Sequence, residues 1–151
     1  MGNITPFTIE GYYAITANHS DFSLLVEIIN HSYEDLKVSK DQLLKYTTEE
    51  VYDPLLWIIV FDKKTNKAVG CGVADYDEEL QEGILEWIQV LPEYRGRRIG
   101  KLIVMELLHR MRDKAKFVTV SGKVDNLTKP EMLYRSCGFS GHDVWHILKN
   151  R

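Results

Sequence analysis

The sequence predicts one α/β (α+β) domain over residues 1–151, built on a mixed sheet with helices packed against it. Strand-like runs of β-branched and aromatic residues dominate the first part, and a strand–helix–strand–helix–strand order closes the chain. No repeat, low-complexity tract or linker divides it. With 151 residues, of which 44% are hydrophobic, one domain can bury a core of its own.

The N-terminal third predicts extended structure followed by two helices. Ile4–Ala17 is rich in β-branched and aromatic residues, which favours a strand. Ser20 is placed to cap a helix. The apolar residues of this helix fall at helical spacing on one face: Phe22, Leu25, Val26 and Ile29. Ser39, with Gln42 three residues later, predicts a capping box that opens a second, short helix.

The middle of the sequence predicts two strands and an acidic turn. Leu55–Phe61 contains no polar residue and is typical of a strand covered on both faces. Ala68–Ala74 predicts its neighbour, in which Gly70 and Gly72 indicate that another element packs closely. The acidic residues that follow predict a solvated hairpin turn, with attraction of a cationic substrate as the alternative: Asp75, Asp77, Glu78, Glu79 and Glu82.

The C-terminal half predicts a strand, a long helix and a second strand–helix–strand unit. Ile84–Leu91 and Phe117–Val120 have strand composition, and the segment between them is long enough for a parallel crossover. The helix between them starts near Arg98 and has an apolar face: Ile99, Leu102, Ile103, Leu107 and Met111. Pro130 and Gly138 are placed to begin and end the last helix, before a strand at Val144–Leu148.

Composition excludes several classes of function. A net charge of −3 and a pI of about 5.9 disfavour a protein that binds nucleic acid or a membrane surface by bulk charge. The longest apolar run, Leu55–Phe61, is too short to cross a membrane, and the N-terminus lacks a signal-peptide pattern. Cys71 and Cys137 form neither a redox pair nor a metal-spaced set. We therefore expect a cytoplasmic protein with reduced thiols and no metal.

The stretch VLPEYRGRRIGKL, from Val90 to Leu102, predicts an anion-binding site. It leads from a strand into a helix through a glycine-bearing turn, and the first amides of a helix have no internal partner. Gly96 and Gly100 allow close approach of an anion to the backbone. Four cations lie here, although cations at a helix N-terminus oppose its dipole: Arg95, Arg97, Arg98 and Lys101. This unfavourable placement favours a bound anion over a ligand-free helix cap.

Two familiar phosphate-binding patterns do not fit this stretch. The spacing from Gly96 to Gly100 is one residue too short for a P-loop, and Leu102 stands where its hydroxyl residue belongs. A dinucleotide-binding fingerprint would need a third glycine and an opening βαβ position.

The stretch Ile88–Lys101 instead resembles the pyrophosphate-binding motif of the GNAT acetyltransferase superfamily, Q/R-x-x-G-x-G/A. Arg95 takes the first place of this motif and Gly100 the last, while Arg98 replaces the middle glycine. Asp125–Phe139, DNLTKPEMLYRSCGF, is similar to the later family signature, an Asn followed by a helix that ends in Leu-Tyr-x-x-x-Gly-Phe. The resemblance implies the GNAT acyltransferase fold: a mixed, mostly antiparallel sheet whose central parallel strands splay apart.

The resemblance further implies that acetyl-CoA is the cosubstrate. Its pantetheine would run along the backbone of Ile88 and Val90, and its pyrophosphate would bind the amides from Gly96 to Lys101. The residues implied to bind it are Ile88, Gln89, Val90, Arg95, Gly96, Arg97, Arg98, Ile99, Gly100, Lys101, Asn126 and Tyr134. The reaction implied is direct transfer of the acetyl group to a primary amine of a small molecule or peptide, within a ternary complex.

Two residues are candidates for the proton transfers. Removing a proton from an alkylammonium of pKa ~10.4 at pH 7 costs about 4.6 kcal/mol, so the site needs a base. Strand alternation predicts that Glu86 shares a face with Ile84, Ile88 and Val90, where it is the titratable group. Asp75 and Asp77 are weaker candidates. Tyr134 takes the family position of the acid that protonates the leaving thiolate, with a core tyrosine as the alternative.

Other functions stay open at this point. The departure at Arg98 and the missing family Glu at Ile84 would also suit a catalytically degenerate GNAT domain that binds acyl-CoA as a sensor or interaction module. A nucleic-acid binder would need a basic patch beyond Arg95–Lys101. Residues 140–151 leave room for one strand after Phe139, where the family has two, so Ile4–Ile9 or the partner in a homodimer would complete the sheet.

Overall fold

The structure is a computed structural model that describes residues 7–32, 37–120, 130–139 and 145–147. These residues form a six-stranded sheet in the order β1-β2-β3-β4-β5-β6. The strands are β1 (Tyr12–Thr16), β2 (Tyr52–Asp62), β3 (Lys67–Asp77), β4 (Glu82–Val90), β5 (Phe117–Val120) and β6 (Trp145–Ile147). The α-helices are α1 (Phe22–Ser32), α2 (Lys40–Tyr46), α3 (Ile99–Met111) and α4 (Pro130–Ser136). The α/β class predicted from the sequence is confirmed.

The sheet is mixed and contains one parallel pair of strands among the described residues. All neighbouring strands pair antiparallel except β4 and β5, which are parallel. The parallel pairing joins Glu82–Leu85 to Phe117–Val120. The rest of β4, from Glu86 to Val90, extends past the last residue of β5. Among the described residues, the parallel pairing therefore covers the first four residues of β4.

Helices cover both faces of the sheet, as the continuous apolar strands predicted. On one face, α3 packs on β2, β3 and β4 through buried residues such as Ile103 and Leu107. On the other face, α1 and α2 pack on the same strands, with Trp57 and Trp87 in this second core. Leu55 differs from the prediction, because 59% of its surface is exposed at the start of the buried part of β2.

The helix starts test the capping predictions. The capping box of Ser39 and Gln42 is confirmed: the Ser39 Oγ accepts from the Gln42 amide at 3.1 Å, and the Gln42 side chain accepts from the Ser39 amide at 2.9 Å. The prediction for Ser20 is wrong, because Ser20 lies inside a short 3₁₀ turn, His19–Asp21, that precedes α1. The Asp21 carboxylate there accepts from the Asn18 amide at 2.9 Å.

The two ends of the chain are described in part. Gly138 ends α4 with φ +100°, as predicted, and the Phe139 amide donates to the Tyr134 carbonyl at 3.0 Å. β6 lies within the predicted range of the last strand. Of the Ile4–Ile9 segment, residues 4–6 lie outside the described residues, and 7–9 are not part of a strand.

Close packing between β3 and α3 explains Gly72. A Cβ at this position would collide with the Ile103 side chain and lie 3.0 Å from Leu107. A Cβ at Gly70 meets milder contacts, 3.1 Å from the Gln89 carbonyl oxygen and 3.2 Å from Ile103. The sequence-based expectation of a close neighbour at both glycines is therefore confirmed.

We expect Gly72→Ala to destabilise the protein by about 2 kcal/mol, because α3 must shift to admit the methyl group. For a chain of this size, the melting temperature should fall by roughly 4–8 °C, measured by thermal unfolding. Gly70→Ala serves as the matched control and should lower the melting temperature less. A Gly72→Ala protein that melts within 1 °C of the parent would contradict this account of the packing.

Candidate functional site

A cavity in the described part of the molecule, which we call the larger cavity, opens where β4 ends and α3 begins. It has a volume of about 460 Å³. Its walls come from the end of β4, the loop after it, the first turn of α3 and one side of α4. The lining residues are Val90, Tyr94, Arg95, Gly96, Arg98, Ile99, Gly100, Lys101, Leu133 and Ser136. Most of the stretch predicted to bind an anion therefore lines one cavity.

The backbone of this loop is shaped by two residues with positive φ. Gly96 has φ +81°, and a Cβ there would meet nothing within 4 Å, so its face toward the cavity is open. Arg98 has φ +68° and immediately precedes α3. Glycine adopts this left-handed conformation freely, whereas other residues enter it at a cost of roughly 1–2 kcal/mol. Arg98 therefore holds, at some cost in strain, a backbone conformation that a glycine at this position of the motif would adopt without strain.

The first turn of α3 presents its amides at this cavity. The Leu102 amide donates to the Arg98 carbonyl at 3.1 Å, which starts the helical hydrogen bonding. The amides before Leu102 in the first turn have no acceptor within the helix. They lie close to Gly96, where a Cβ would meet nothing within 4 Å, and Gly100 itself carries no side chain. An anionic group fits this place, because the helix N-terminus carries about half a positive charge.

The four cations of the loop have different surroundings. The Arg95 guanidinium donates to two carbonyl oxygens, of Ser32 at 2.7 Å and of Val90 at 3.2 Å, and so ties the end of α1 to β4. Arg97 donates to the Tyr12 hydroxyl at 3.0 Å and lies 4.8 Å from the centre of the Tyr94 ring. The Tyr12 hydrogen bond raises the pKa of Arg97.

Arg98 and Lys101 line the cavity together with Arg95 and also contact an aromatic ring. Both line it, and both lie over the Phe7 ring, with ring-centre distances of 5.2 Å and 4.9 Å. The sequence grouped all four cations as equivalent anion ligands. In the structure, Arg95 and Arg97 hydrogen-bond to residues distant in the chain, whereas Arg98 and Lys101 lie over the Phe7 ring.

Helix α4 closes the cavity from the side opposite the loop. A Cβ at Gly100 would lie 3.3 Å from the Leu133 side chain, so α3 and α4 approach closely here. Tyr134 follows Leu133 but points into the core: it is 1% exposed and packs edge-on against Phe139, with ring centres 5.5 Å apart. Sequence analysis missed Tyr94, Leu133 and Ser136 as lining residues. Their proximity to predicted site residues was the one available signal.

Other predicted cofactor residues lie near the cavity without lining it. Ile88 and Gln89 are fully buried in β4, where their backbone, rather than their side chains, would have to meet a ligand. The Gln89 amide group has no hydrogen-bond partner among the described residues. Such a buried amide usually pairs with an ordered water. Asn126 lies outside the described residues.

The two cysteines are buried, Cys71 in the sheet and Cys137 beside the cavity residue Ser136. Burial raises the pKa of both thiols; at Cys137 the Ser136 hydroxyl and the Lys101 charge partly oppose this effect. We therefore expect no thiol to react with dithiobis(nitrobenzoate) in the folded protein, and two to react in guanidinium chloride. Rapid reaction of one thiol in the folded state would contradict the burial.

A β-bulge in β4 sets the direction of Glu86. Val73 of β3 pairs with Trp87 and the next residue, Ala74, pairs with Leu85, so Glu86 is an extra residue in β4. The predicted common face of Glu86 with Ile88 and Val90 is therefore wrong. Ile88 and Val90 pack in the α3 core, whereas Glu86 lines a cavity on the opposite face, together with Trp87.

This second cavity, which we call the bulge cavity, has a volume of about 180 Å³. It lies between the C-terminal end of α2, with the segment that follows it, and the strands β2, β3 and β4. Its lining residues are Tyr46, Glu49, Trp57, Val73, Asp75, Glu86 and Trp87. Three carboxylates and three aromatic rings thus surround a space for a small group. The Trp57 indole N–H is buried and has no hydrogen-bond partner among the described residues.

The acidic residues at the end of β3 and after it have different surroundings. Asp75 faces the bulge cavity, whereas Asp77 organises the turn by accepting from the amides of Glu79 and Leu80. Glu82 accepts from the Thr119 hydroxyl at 2.6 Å and joins β4 to β5.

Among the described residues, no three His, Cys, Asp or Glu side chains are grouped closely enough to hold a metal ion. No described helix has the length and apolarity needed to cross a membrane.

Comparison with known proteins identifies a family. The family model of the acetyltransferase (GNAT) family matches residues 22–139, which include both cavities. No curated protein matches the sequence significantly. Many solved structures share the fold, and three of them illustrate how far the likeness extends.

The three structures differ in how much of their own chain the likeness covers. The GCN5-related N-acetyltransferase from Sphaerobacter thermophilus is 22% identical, with a TM-score of 0.72 over 94% of this chain and 43% of that one. The ribosomal-protein-S18-alanine N-acetyltransferase from Escherichia coli is 14% identical, with a TM-score of 0.73 over 93% and 96%. Rv2747 from Mycobacterium tuberculosis, in complex with CoA and NLQ, is 21% identical, with a TM-score of 0.65 over 85% and 71%. At these identities the likeness shows the fold, and the chain spans less than half of the Sphaerobacter protein.

Proposed function

The chain belongs to the acetyltransferase (GNAT) family, and from this premise we propose that it is an acetyl-CoA-dependent N-acetyltransferase acting on a primary amine of a small molecule or peptide. The observation that carries the proposal is the larger cavity, where open backbone amides at the start of α3 meet Arg98 and Lys101. A structural relative, Rv2747, is in complex with CoA, which supports the same ligand here.

The residues present fit the pyrophosphate of CoA. Gly96 leaves open space before the backbone, and the amides from Gly96 to Lys101 would donate to phosphate oxygens. Arg98 and Lys101 would exchange the Phe7 ring for a phosphate, a stronger partner for a cation. The part of β4 after Leu85 would hold the pantetheine through the backbone of Ile88 and Val90. When bound, acetyl-CoA supplies an activated thioester carbonyl and a thiolate as leaving group.

Glu86 is the base in this proposal. The bulge directs it into a cavity lined by aromatic rings, on the face of the sheet opposite α3. An alkylammonium that enters this cavity needs about 4.6 kcal/mol to lose its proton at pH 7. A carboxylate within reach of the amine, directly or through one water, accepts that proton as the amine attacks. Asp75 lines the same cavity and is the alternative base.

Tyr134 is the acid in this proposal. Its phenol lies in α4, the helix that closes the larger cavity, directly after Leu133. A phenol, whose unperturbed pKa is near 10, is protonated at neutral pH and can give its proton to a thiolate. Glu86 and Tyr134 would therefore act at opposite ends of the reaction, on the attacking amine and on the leaving sulfur.

The alternative is a domain that binds acyl-CoA without catalysis. The strained Arg98, with φ +68° in place of a glycine, is the observation that favours it, because it departs from the motif at the pyrophosphate site. The bulge cavity disfavours it, since a sensor needs no carboxylate-lined acceptor space. Both functions require that the larger cavity binds acetyl-CoA.

Binding and turnover test these functions in order. At a hundredfold excess over Kd, acetyl-CoA should stabilise the protein by about 2.7 kcal/mol and raise its melting temperature by roughly 5–10 °C. A panel of amines should then stimulate release of CoA. Binding without turnover by any amine would favour the sensor. Absence of binding at millimolar acetyl-CoA would contradict both functions.

A further inference from the structure

We infer that the Phe7 ring competes with the cofactor for two cations of the larger cavity, Arg98 and Lys101, and thereby lowers the affinity of the protein for acetyl-CoA. This inference rests on the proposed function, because it names the group of the same chain that the phosphates of the cofactor replace. It adds a residue from outside the cavity lining to those that set cofactor affinity.

One ring is the partner of both cations in the free protein. The centre of the Phe7 ring lies 5.2 Å from the guanidinium carbon of Arg98 and 4.9 Å from the Nζ of Lys101. The face of an aromatic ring is its negative side, so it attracts a cation as an anion does, but more weakly. Phe7 therefore stands in for an anion at these two side chains.

The ring and the phosphate site are different neighbours of the same cations. Arg98 and Lys101 line the larger cavity together with Gly96 and Gly100, whereas Phe7 is not among its lining residues. A phosphate on the first amides of α3 lies in this cavity, and a cation must come within about 3 Å of a phosphate oxygen to hydrogen-bond to it. Charge-assisted hydrogen bonds of this kind are strong, so each side chain turns from the ring toward the phosphate.

The attachment of Phe7 allows this exchange. Phe7 is half-buried at the margin of the α3 core and precedes a turn at residues 10–11. Residues 7–9 are not part of a strand, and β1 begins only at Tyr12. Gly11 lies in the turn with φ +92°, and a Cβ there would meet nothing within 4 Å. Phe7 can therefore move without breaking the pairing of β1 with β2.

A contact that is made only in the free protein weakens binding, because the ligand must break it. Two exposed cation–π contacts correspond to a factor of about five in an equilibrium constant. Phe7→Leu keeps an apolar side chain but removes the aromatic face. We therefore expect Phe7→Leu to bind CoA about fivefold more tightly than the parent protein, measured by titration calorimetry.

Tyr13→Leu is the matched control, because it removes an aromatic face from the same end of the chain. Tyr13 stacks on Phe61, with ring centres 5.6 Å apart, and is not among the residues that line the larger cavity. Its substitution should leave the Kd for CoA unchanged. An equal tightening by Tyr13→Leu and Phe7→Leu would indicate a general loosening of this part of the protein and would contradict the role of Phe7.

A second background locates the effect at the cations. In a Lys101→Met protein one of the two contacts is already absent, so Phe7→Leu should tighten CoA binding only about twofold. Lys101→Met weakens CoA binding by itself, but this effect cancels when the two Kd values are compared within one background. An undiminished fivefold effect would show that Phe7 acts through another contact and would overturn the inference.

Inorganic pyrophosphate tests whether the competition concerns the phosphates. It lacks the adenosine and the pantetheine of CoA, and it should also bind Phe7→Leu more tightly than the parent, by a similar factor. A preference that is seen with CoA and not with pyrophosphate would place the effect elsewhere on the cofactor and contradict competition for the two cations.

The outcomes separate this inference from the proposed function. If CoA binds the parent and Phe7→Leu equally, the inference fails while the cofactor site stands. Weaker binding by Phe7→Leu would also overturn it, since the ring would then hold the two cations in place for the cofactor. If CoA binds neither protein, the proposed function fails, and the inference fails with it.

Discussion

Replacing Gly100 by Glu should abolish the rise in melting temperature that acetyl-CoA produces in the parent protein. Gly100 lines the larger cavity in the first turn of α3, where a phosphate would sit. A Glu side chain would occupy this space and place a negative charge beside the anion. At 4 Å and the screening typical of a protein surface, two such charges repel by about 4 kcal/mol. A Kd increase of a hundredfold or more is therefore expected.

The free protein should tolerate this change, which makes the result interpretable. Glycine is about 1 kcal/mol less favourable than good helix formers inside a helix, and Glu in a first turn interacts favourably with the helix dipole. These two favourable contributions to the free energy of folding offset the cost of moving the Leu133 side chain, which a Cβ at Gly100 would approach to 3.3 Å. The unliganded Gly100→Glu protein should thus melt near the parent temperature.

Gly100→Ala is the matched control, since it adds the Cβ without the charge. At an acetyl-CoA concentration that is a hundredfold above the parent Kd, the parent and the Ala variant should both gain about 2.7 kcal/mol. A Glu variant weakened a hundredfold should gain about 0.4 kcal/mol. Normal stabilisation of Gly100→Glu by acetyl-CoA, confirmed by calorimetry, would exclude the start of α3 as the phosphate site.

Local sequence patterns predicted the elements of this fold well. Phe117–Val120 was predicted with its observed bounds, and the Ser39 capping box formed with both of its hydrogen bonds. These features depend on residues within four positions of each other, which a sequence displays directly. The Ser20 prediction is wrong because a 3₁₀ turn, His19–Asp21, begins after Asn18 and contains Ser20.

The direction of Glu86 could not be predicted in this way. A bulge is set by the pairing of two strands that lie apart in the chain, and one extra residue reverses the face of what precedes or follows it. The sequence of β4 alone carries no sign that Glu86 is this residue. Its placement with Asp75 and Glu49 likewise depends on β3 and on the segment after α2.

The roles of the loop cations were also beyond the sequence. Their clustering before α3 predicted an anion site, but not which of them would line the cavity found there. Arg95 pairs with Ser32, and Arg97 with Tyr12, across 63 and 85 residues of chain. Contacts over such separations follow from the fold. The motif therefore predicts which stretch of the chain lines the cavity, but not the contacts that each side chain makes.

Tyr134→Phe should lower kcat about a hundredfold and leave acetyl-CoA binding within twofold of the parent, measured by steady-state kinetics and calorimetry. General acid catalysis typically contributes 10²–10⁴-fold, so a proposed donor should account for at least the lower figure. Moving a proton from a phenol of pKa ~10 to a thiolate of pKa ~8.5 is uphill by about 2 kcal/mol, a cost compatible with turnover. Phenylalanine keeps the ring that packs edge-on against Phe139, so the core should stay intact.

The pH profile and a second variant separate catalysis from structure. Above about pH 8.5 a thiolate leaves without needing a proton, so the defect of Tyr134→Phe should narrow as the pH rises through this range. Tyr76→Phe removes a comparable hydroxyl, which donates to the Lys114 carbonyl at 2.7 Å; Tyr76 lines neither cavity, and the change should not alter kcat. An unchanged kcat in Tyr134→Phe would leave this phenol a core residue, and the thiolate would then take its proton from water.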